Sequence, residues 1–118
     1  MRDYKDVSYD NGGVHINSGI PNHAFYVTAV ELGGFAWEKA GRIWYTALCE
    51  KIQDRSNFQD AARLTYEAAK ELYGNGSLES QAVLKGWSEV GISVEGAESK
   101  GCLPSLLGLF TPASQGKR

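Results

Sequence analysis

The sequence predicts an all-α domain, a compact bundle of four or more helices, and three observations carry that prediction. Apolar residues recur at helical spacing over four stretches between residues 19 and 90. Short breaks rich in Gly, Ser and Asn separate these stretches, which forces near-antiparallel neighbours. The chain has 118 residues, 42% of them hydrophobic, which is one domain's worth of material and enough to fill a core.

The first predicted helix covers 19–32. Ser18 suits its cap, Pro21 fits an opening turn that needs no intrahelical N–H, and Gly33-Gly34 stops it. Phe25, Ala29 and Leu32, with Ala24, Val27 and Thr28 alongside, form its apolar side. The second, over 36–53, carries Ala40, Ile43, Trp44, Ala47, Leu48 and Ile52 on a stripe wide enough for a central helix. The third covers 57–73. Ser56 with Gln59 gives it a capping-box spacing, and Ala61, Ala62, Thr65, Ala68, Ala69 and Leu72 give it a narrow face that permits close approach. The fourth, 78–90, starts at Ser77, places Leu78, Ala82, Val83, Trp87 and Val90 on one side and ends at Gly91. Trp44 and Trp87 read as core, whereas Trp37, off the best stripe, reads as a partner contact.

Two flanks differ from this pattern. Residues 1–19 read as a loop in which Asp10-Asn11-Gly12-Gly13 makes a tight turn and 14–16 a short extended piece. Residues 20–91 form the helical unit. Over 92–118 Gly and Pro interrupt any period, leaving one apolar run from Leu103 to Phe110, so this segment reads as a flexible or partner-docking tail.

Twelve basic against fourteen acidic side chains leave a net charge of −2 and no broad cationic face, so nucleic acid is not an expected partner. No apolar run reaches the roughly 18 residues of a membrane span, and the start Met1-Arg-Asp-Tyr-Lys-Asp does not read as an export signal. Cys49 and Cys102, far apart, read as reduced thiols. The acidic pairs Glu67/Glu71 and Glu95/Glu98 read as a solvated face and a tail.

His15 follows Asp10 by five positions across the two glycines, a spacing at which a turn can fold the carboxylate back onto the ring. Such a contact fixes one tautomer, favours the imidazolium and leaves the other nitrogen to donate to developing negative charge. The same spacing also suits a surface histidine in a hydrogen-bonded loop.

The longer string Asp10-Asn11-Gly12-Gly13-Val14-His15-Ile16-Asn17-Ser18-Gly19-Ile20-Pro21-Asn22 closely resembles the segment around the active-site histidine of the thermolysin-like neutral metalloendopeptidases. Ala24-Phe25-Tyr26, Gly41-Arg42-Ile43-Trp44-Tyr45, Ser56-Asn57-Phe58 and Leu72-Tyr73-Gly74 are also similar to the helical C-terminal lobe of that family, so the likeness covers about residues 9–91. It implies that His15 stabilises the tetrahedral intermediate or donates a proton, and that Asp10 holds it. It also implies a zinc, held on an HExxH helix and by a later carboxylate, whose motif Glu is the general base; some members bind calcium as well.

This sequence contains no HExxH and two histidines in all, and the eight-residue spacing of His15 and His23 does not put both on one helical face. No metal site is therefore expected in this chain, and none of its Asp or Glu residues is assigned to calcium. His23 is expected to be an exposed side chain at a helix start. The resemblance implies peptide or protein substrates, a metal-binding N-terminal lobe as partner, and a family whose members are mostly secreted. The chain by itself is expected to be inactive and to self-associate or bind a partner through the face of His15 and the first helix, with Leu106, Leu107, Leu109 and Phe110 available to add to it. A non-catalytic binding module and a truncated-gene remnant are the competing readings.

Overall fold

A computed structural model describes residues 3–97, and among these it contains helices and no strand. The helices are α1 (Asp10–Asn17), α2 (Gly19–Leu32), α3 (Ala40–Glu50), α4 (Phe58–Tyr73) and α5 (Leu78–Glu89). The last four close into a ring: α5 packs on α2 and α4, and α3 joins α4 back to α2. The core is built from Ile20 and Ala24 of α2, Ile43 and Ala47 of α3, Ala62, Tyr66, Ala68 and Ala69 of α4, and Val83 and Trp87 of α5. Alanine dominates that set, so the helices lie close together and one large side chain fills what remains.

That side chain is Trp87, fully buried. Its indole N–H donates to Thr65 Oγ1 at 2.8 Å, and the Thr65 hydroxyl in turn donates to the Ala61 carbonyl at 2.8 Å. No polar atom of the indole is left orphaned. Half-buried Trp44 lies nearly parallel to Trp87, with centroids 6.1 Å apart, and meets Phe25 edge-on at 5.3 Å. On the other side of α5, Gly86 faces α2. A methyl group there would overlap Thr28 Oγ1 and the Ala24 carbonyl, so only glycine allows this approach. Thr28 keeps its hydroxyl satisfied by donating to the Ala24 carbonyl at 2.9 Å.

Several details differ from the sequence reading. Residues 14–16 are helical, not extended, because the glycine-rich turn ahead of them launches a right-handed turn that runs almost directly into α2. Ser18 consequently has helical backbone angles and does not cap α2; its hydroxyl donates to the His15 carbonyl at 3.0 Å. The second helix starts at Ala40, not 36. Glu38 accepts from the Phe35 N–H at 3.1 Å and the Gly41 N–H donates to the Ala36 carbonyl at 2.7 Å, which holds 35–39 as turns.

The capping box of α4 is shifted by one residue. Asn57 accepts from the Asp60 N–H at 2.8 Å while Asp60 accepts from the Asn57 N–H at 3.1 Å. Ser56 instead closes the preceding turn by accepting from the Gln53 N–H. Leu78 and Leu48 face outward although they sit on predicted stripes; each lies at the edge of a face whose centre is filled by Ala82 and Val83, or by Ile43 and Ala47. Ile92, assigned by composition to the tail, is buried in the core, and Val94 and Ala97 pack against it. Cys102, Glu98 and the Leu103–Phe110 run lie outside the described residues.

Candidate active-site histidine and its turn

The chain reaches the turn through Tyr9, whose backbone is extended. The next four residues, Asp10, Asn11, Gly12 and Gly13, all have positive φ: 56°, 49°, 82° and 83°. Together they make one left-handed turn, closed by the Gly12 and Gly13 N–H groups donating to the Tyr9 carbonyl at 3.1 and 3.0 Å. Left-handed backbone costs an ordinary L residue about 1–2 kcal/mol, and Gly, Asn and Asp are the residues that tolerate it. The sequence Asp-Asn-Gly-Gly is thus suited position by position to this conformation. At Gly13 a side chain is excluded twice over, by φ and by the Val7 methyl 2.9 Å from where a Cβ would stand.

The turn brings Asp10 back over His15. Asp10 Oδ2 accepts the His15 backbone N–H at 2.8 Å, and Oδ1 stands 2.6 Å from His15 Nδ1. An ionised carboxylate only accepts, so Nδ1 carries the hydrogen and the imidazole is locked against rotation by its own backbone and its own turn. The His15 side chain is 88% exposed and that of Asp10 24%. One ring edge is therefore held by protein and Nε2 is left open to a molecule outside. When the ring is an imidazolium, Nε2–H is a donor; when neutral, Nε2 is an acceptor.

The structure thus unites His15 with Asp10, whereas exposed His23 lies tilted against Tyr26, with centroids 5.9 Å apart. Trp37 is 71% exposed and stacks on Phe35 with centroids 4.5 Å apart. Glu67 pairs with Arg63 within α4, and Glu71 takes the Lys51 ammonium at 2.7 Å. Among the described residues, no group of three or more His, Cys, Asp or Glu side chains is placed to hold a metal ion, and no helix is long and apolar enough to cross a membrane.

Asn17 has a part that sequence reasoning did not assign. It was legible only as one polar residue of an Asn-Ser-Gly cluster, yet it is buried beneath the turn and bonded to Lys5 and Gly12.

A separate groove of about 690 Å³ lies between the end of α2, α5 and the 93–97 segment, with Leu32, Leu78, Leu84 and Val94 in its wall. Two ion pairs flank it, Lys39 to Glu79 at 2.6 Å and Lys85 to Glu31 at 2.7 Å. The hydrogen bond from Lys39 holds the Glu79 carboxyl below the usual range, and Glu79 and Glu31 raise their lysines. His15 does not line this groove.

With that geometry in place, comparison with known proteins is decisive. Residues 1–92 match the family described as the thermolysin metallopeptidase alpha-helical domain. The chain belongs to the thermolysin metallopeptidase family. Within this family it is 49% identical over 98 residues to Protease PrtS of Photorhabdus sp., covering 80% of this chain and 26% of that protein. It is 45% identical over 95 residues to an extracellular metalloprotease of Pectobacterium carotovorum, covering 80% and 27%. Among solved structures it is similar to the precursor of protealysin, a metalloproteinase from Serratia proteamaculans, with a TM-score of 0.73, 48% identity, and 79% of this chain and 29% of that one covered. The chain therefore spans about a quarter of the length of these thermolysin-family relatives, and the part it spans is the helical domain.

Proposed function

We propose that this chain supplies the C-terminal lobe of a two-lobe zinc metalloendopeptidase, with His15 donating to the oxyanion of the tetrahedral intermediate and Asp10 holding the ring for that task. The observation that carries the reading is the 2.6 Å contact of Asp10 with His15 Nδ1 on a ring whose other side is open. A donor fixed before the reaction does not have to reorient as charge develops, which is the source of transition-state stabilisation by such groups.

Zinc does not fit the described residues of this chain: the sequence has no HExxH, and no cluster of ligating side chains is present among residues 3–97. In this reading zinc, and calcium where members carry it, belong to the metal-binding N-terminal lobe, and peptide or protein substrate lies between the two lobes. What this chain contributes is a proton donor at Nε2, a carboxylate that keeps the imidazole in one orientation, and a rigid helical base. Exposed Tyr9, Val14 and Ile16 surround the turn, an apolar fringe suited to being covered by the other lobe. Uncovered, the same fringe favours self-association.

The test is reconstitution. The chain is mixed with a separately produced metal-binding lobe of a relative, and hydrolysis of a peptide substrate is followed. The mixture is expected to be active where neither part is, and His15→Ala is expected to lower kcat by about 10²–10³-fold with little change in KM. Activity of this chain alone, or a His15→Ala mixture as active as the parent, overturns the reading. Light scattering of the chain alone reads its self-association.

A further inference from the structure

We infer that Asn17 is a positioning residue for His15, acting as a buried strut that ties the N-terminal segment to the left-handed turn and so fixes where the imidazole stands. Its functional consequence rests on the reading of His15 given above; the positioning itself does not.

Asn17 is 4% exposed at the end of α1. Its Oδ1 accepts the Lys5 N–H at 2.8 Å, and its Nδ2 donates to the Lys5 carbonyl at 2.8 Å and to the Gly12 carbonyl at 3.2 Å. The side-chain amide thus pairs with Lys5 as a neighbouring strand would, with both a donor and an acceptor, and has a hydrogen to spare for the turn. No hydroxyl, carboxylate or apolar side chain offers that combination, since the Lys5 site needs donor and acceptor together and Gly12 needs a further donor. Asn17 Nδ2 also lies 3.4 Å from where a Gly13 Cβ would be, so the amide fills the space that glycine leaves.

The geometry connects this strut to His15 from two directions. Gly12 lies between Asp10 and His15, within the run of four residues whose backbone is left-handed. A strained turn persists only where its surroundings over-determine it. Asp10 restrains it from above through the His15 backbone and ring, and Asn17 restrains it from below through Gly12 and, by Lys5, through the segment that carries Val7 against Gly13. Without the lower restraint the carboxylate and ring keep their chemistry but lose their fixed relation.

The experiment is nitrogen NMR of the full chain at a pH where the rings are neutral, with His15 assigned by His23→Gln. In the parent, the His15 ring is expected as the Nδ1–H tautomer that the Asp10 contact demands. In Asn17→Asp, which has the same shape but sets a carboxylate oxygen against two carbonyls, the Nδ1–H fraction is expected to fall by about twofold or more towards the Nε2–H form of an unrestrained ring. Thr65→Val, which weakens the core by removing the partner of Trp87, is expected to leave the His15 tautomer unchanged while lowering the melting temperature. If Asn17→Asp does not fold, Asn17→Ser is read in its place. An unchanged His15 tautomer in the folded variant, or the same change in Thr65→Val, overturns the inference and shows Asn17 to be only a stabilising residue. The peptidase reading fails by a different result, an active His15→Ala mixture, so the two are separable.

Discussion

The turn at 10–17 and the junction of α2, α4 and α5 are held in opposite ways. At the junction, the side chains are small or fully buried, and backbones approach until only Gly86 fits. Thr28 donates to a carbonyl of its own helix and reaches that of Ala82 in α5, and Thr65 donates to its own helix while receiving the Trp87 indole. At the turn, four residues adopt backbone angles that helices avoid, and the partners that hold them are polar. Apolar burial is concentrated at the junction and directed polar contact at the turn. The junction gains from removing apolar surface from water; the turn accepts conformational cost so that one imidazole faces outward in a single orientation.

The largest expected effect that separates the two is Trp87→Ala. Loss of a fully buried indole at a site already packed with alanine is expected to cost about 3–5 kcal/mol, read by thermal or urea unfolding. A loss under about 1 kcal/mol would show that the junction collapses around the gap. Next is Gly86→Ala, whose methyl must push α2 aside; about 1–3 kcal/mol of destabilisation is expected in the same assay. Asp10→Asn sharpens the comparison from the other side, because asparagine tolerates the left-handed backbone. It is expected to cost only about 1 kcal/mol of stability. Under the role proposed for His15, it should also lower kcat of the reconstituted peptidase by about tenfold or more, the scale for losing a partner that orients an imidazole.

The smallest effect belongs to the Lys39–Glu79 pair, remote from the turn. The folded carboxyl is held below its unfolded value of about 4.3, so its contribution is complete above that pH and is lost as pH falls through the folded value. Lys39 is raised, so its share is complete below about 10.4 and is lost as pH rises through its folded value. Carboxyl-carbon NMR is expected to show Glu79 titrating closer to the ordinary range in Lys39→Met, while the His15 tautomer does not change.

Much of the bundle was legible because period and close packing leave the same trace. The alanines of α4 and the spacing that put Trp87 and Trp44 inward are visible in the sequence, and the structure buries Trp87 where that spacing puts it. Less was legible at the starts of helices. Ser56 and Asn57 are both capping residues, and only the reciprocal bond with Asp60 chooses between them. Before Ala40, the Glu38 side chain competes for the backbone and delays the start of an otherwise helical pattern. The pairing of Asp10 with His15 was readable from two carriers of chemistry on either side of two glycines. The helical course of 14–16 was not, because hydrophobic alternation of Val14 and Ile16 suits a strand as well as the surface of a single turn. Asn17 was hidden for a related reason: its partner Lys5 is twelve positions away and joins it through backbone atoms, which leave no residue-type signature.

The adjacency of Gly86 and Thr65's partner Trp87 gives α5 a mechanical character. Two consecutive residues grip different neighbours, one locking α2 by backbone contact and the next hooking α4 through a hydrogen bond. To slide α5 by one residue would drive a side chain into the Ala24 carbonyl, so axial slip against α2 is blocked as a peg blocks a shaft. A load applied to α2 is therefore passed through α5 to α4 with little give.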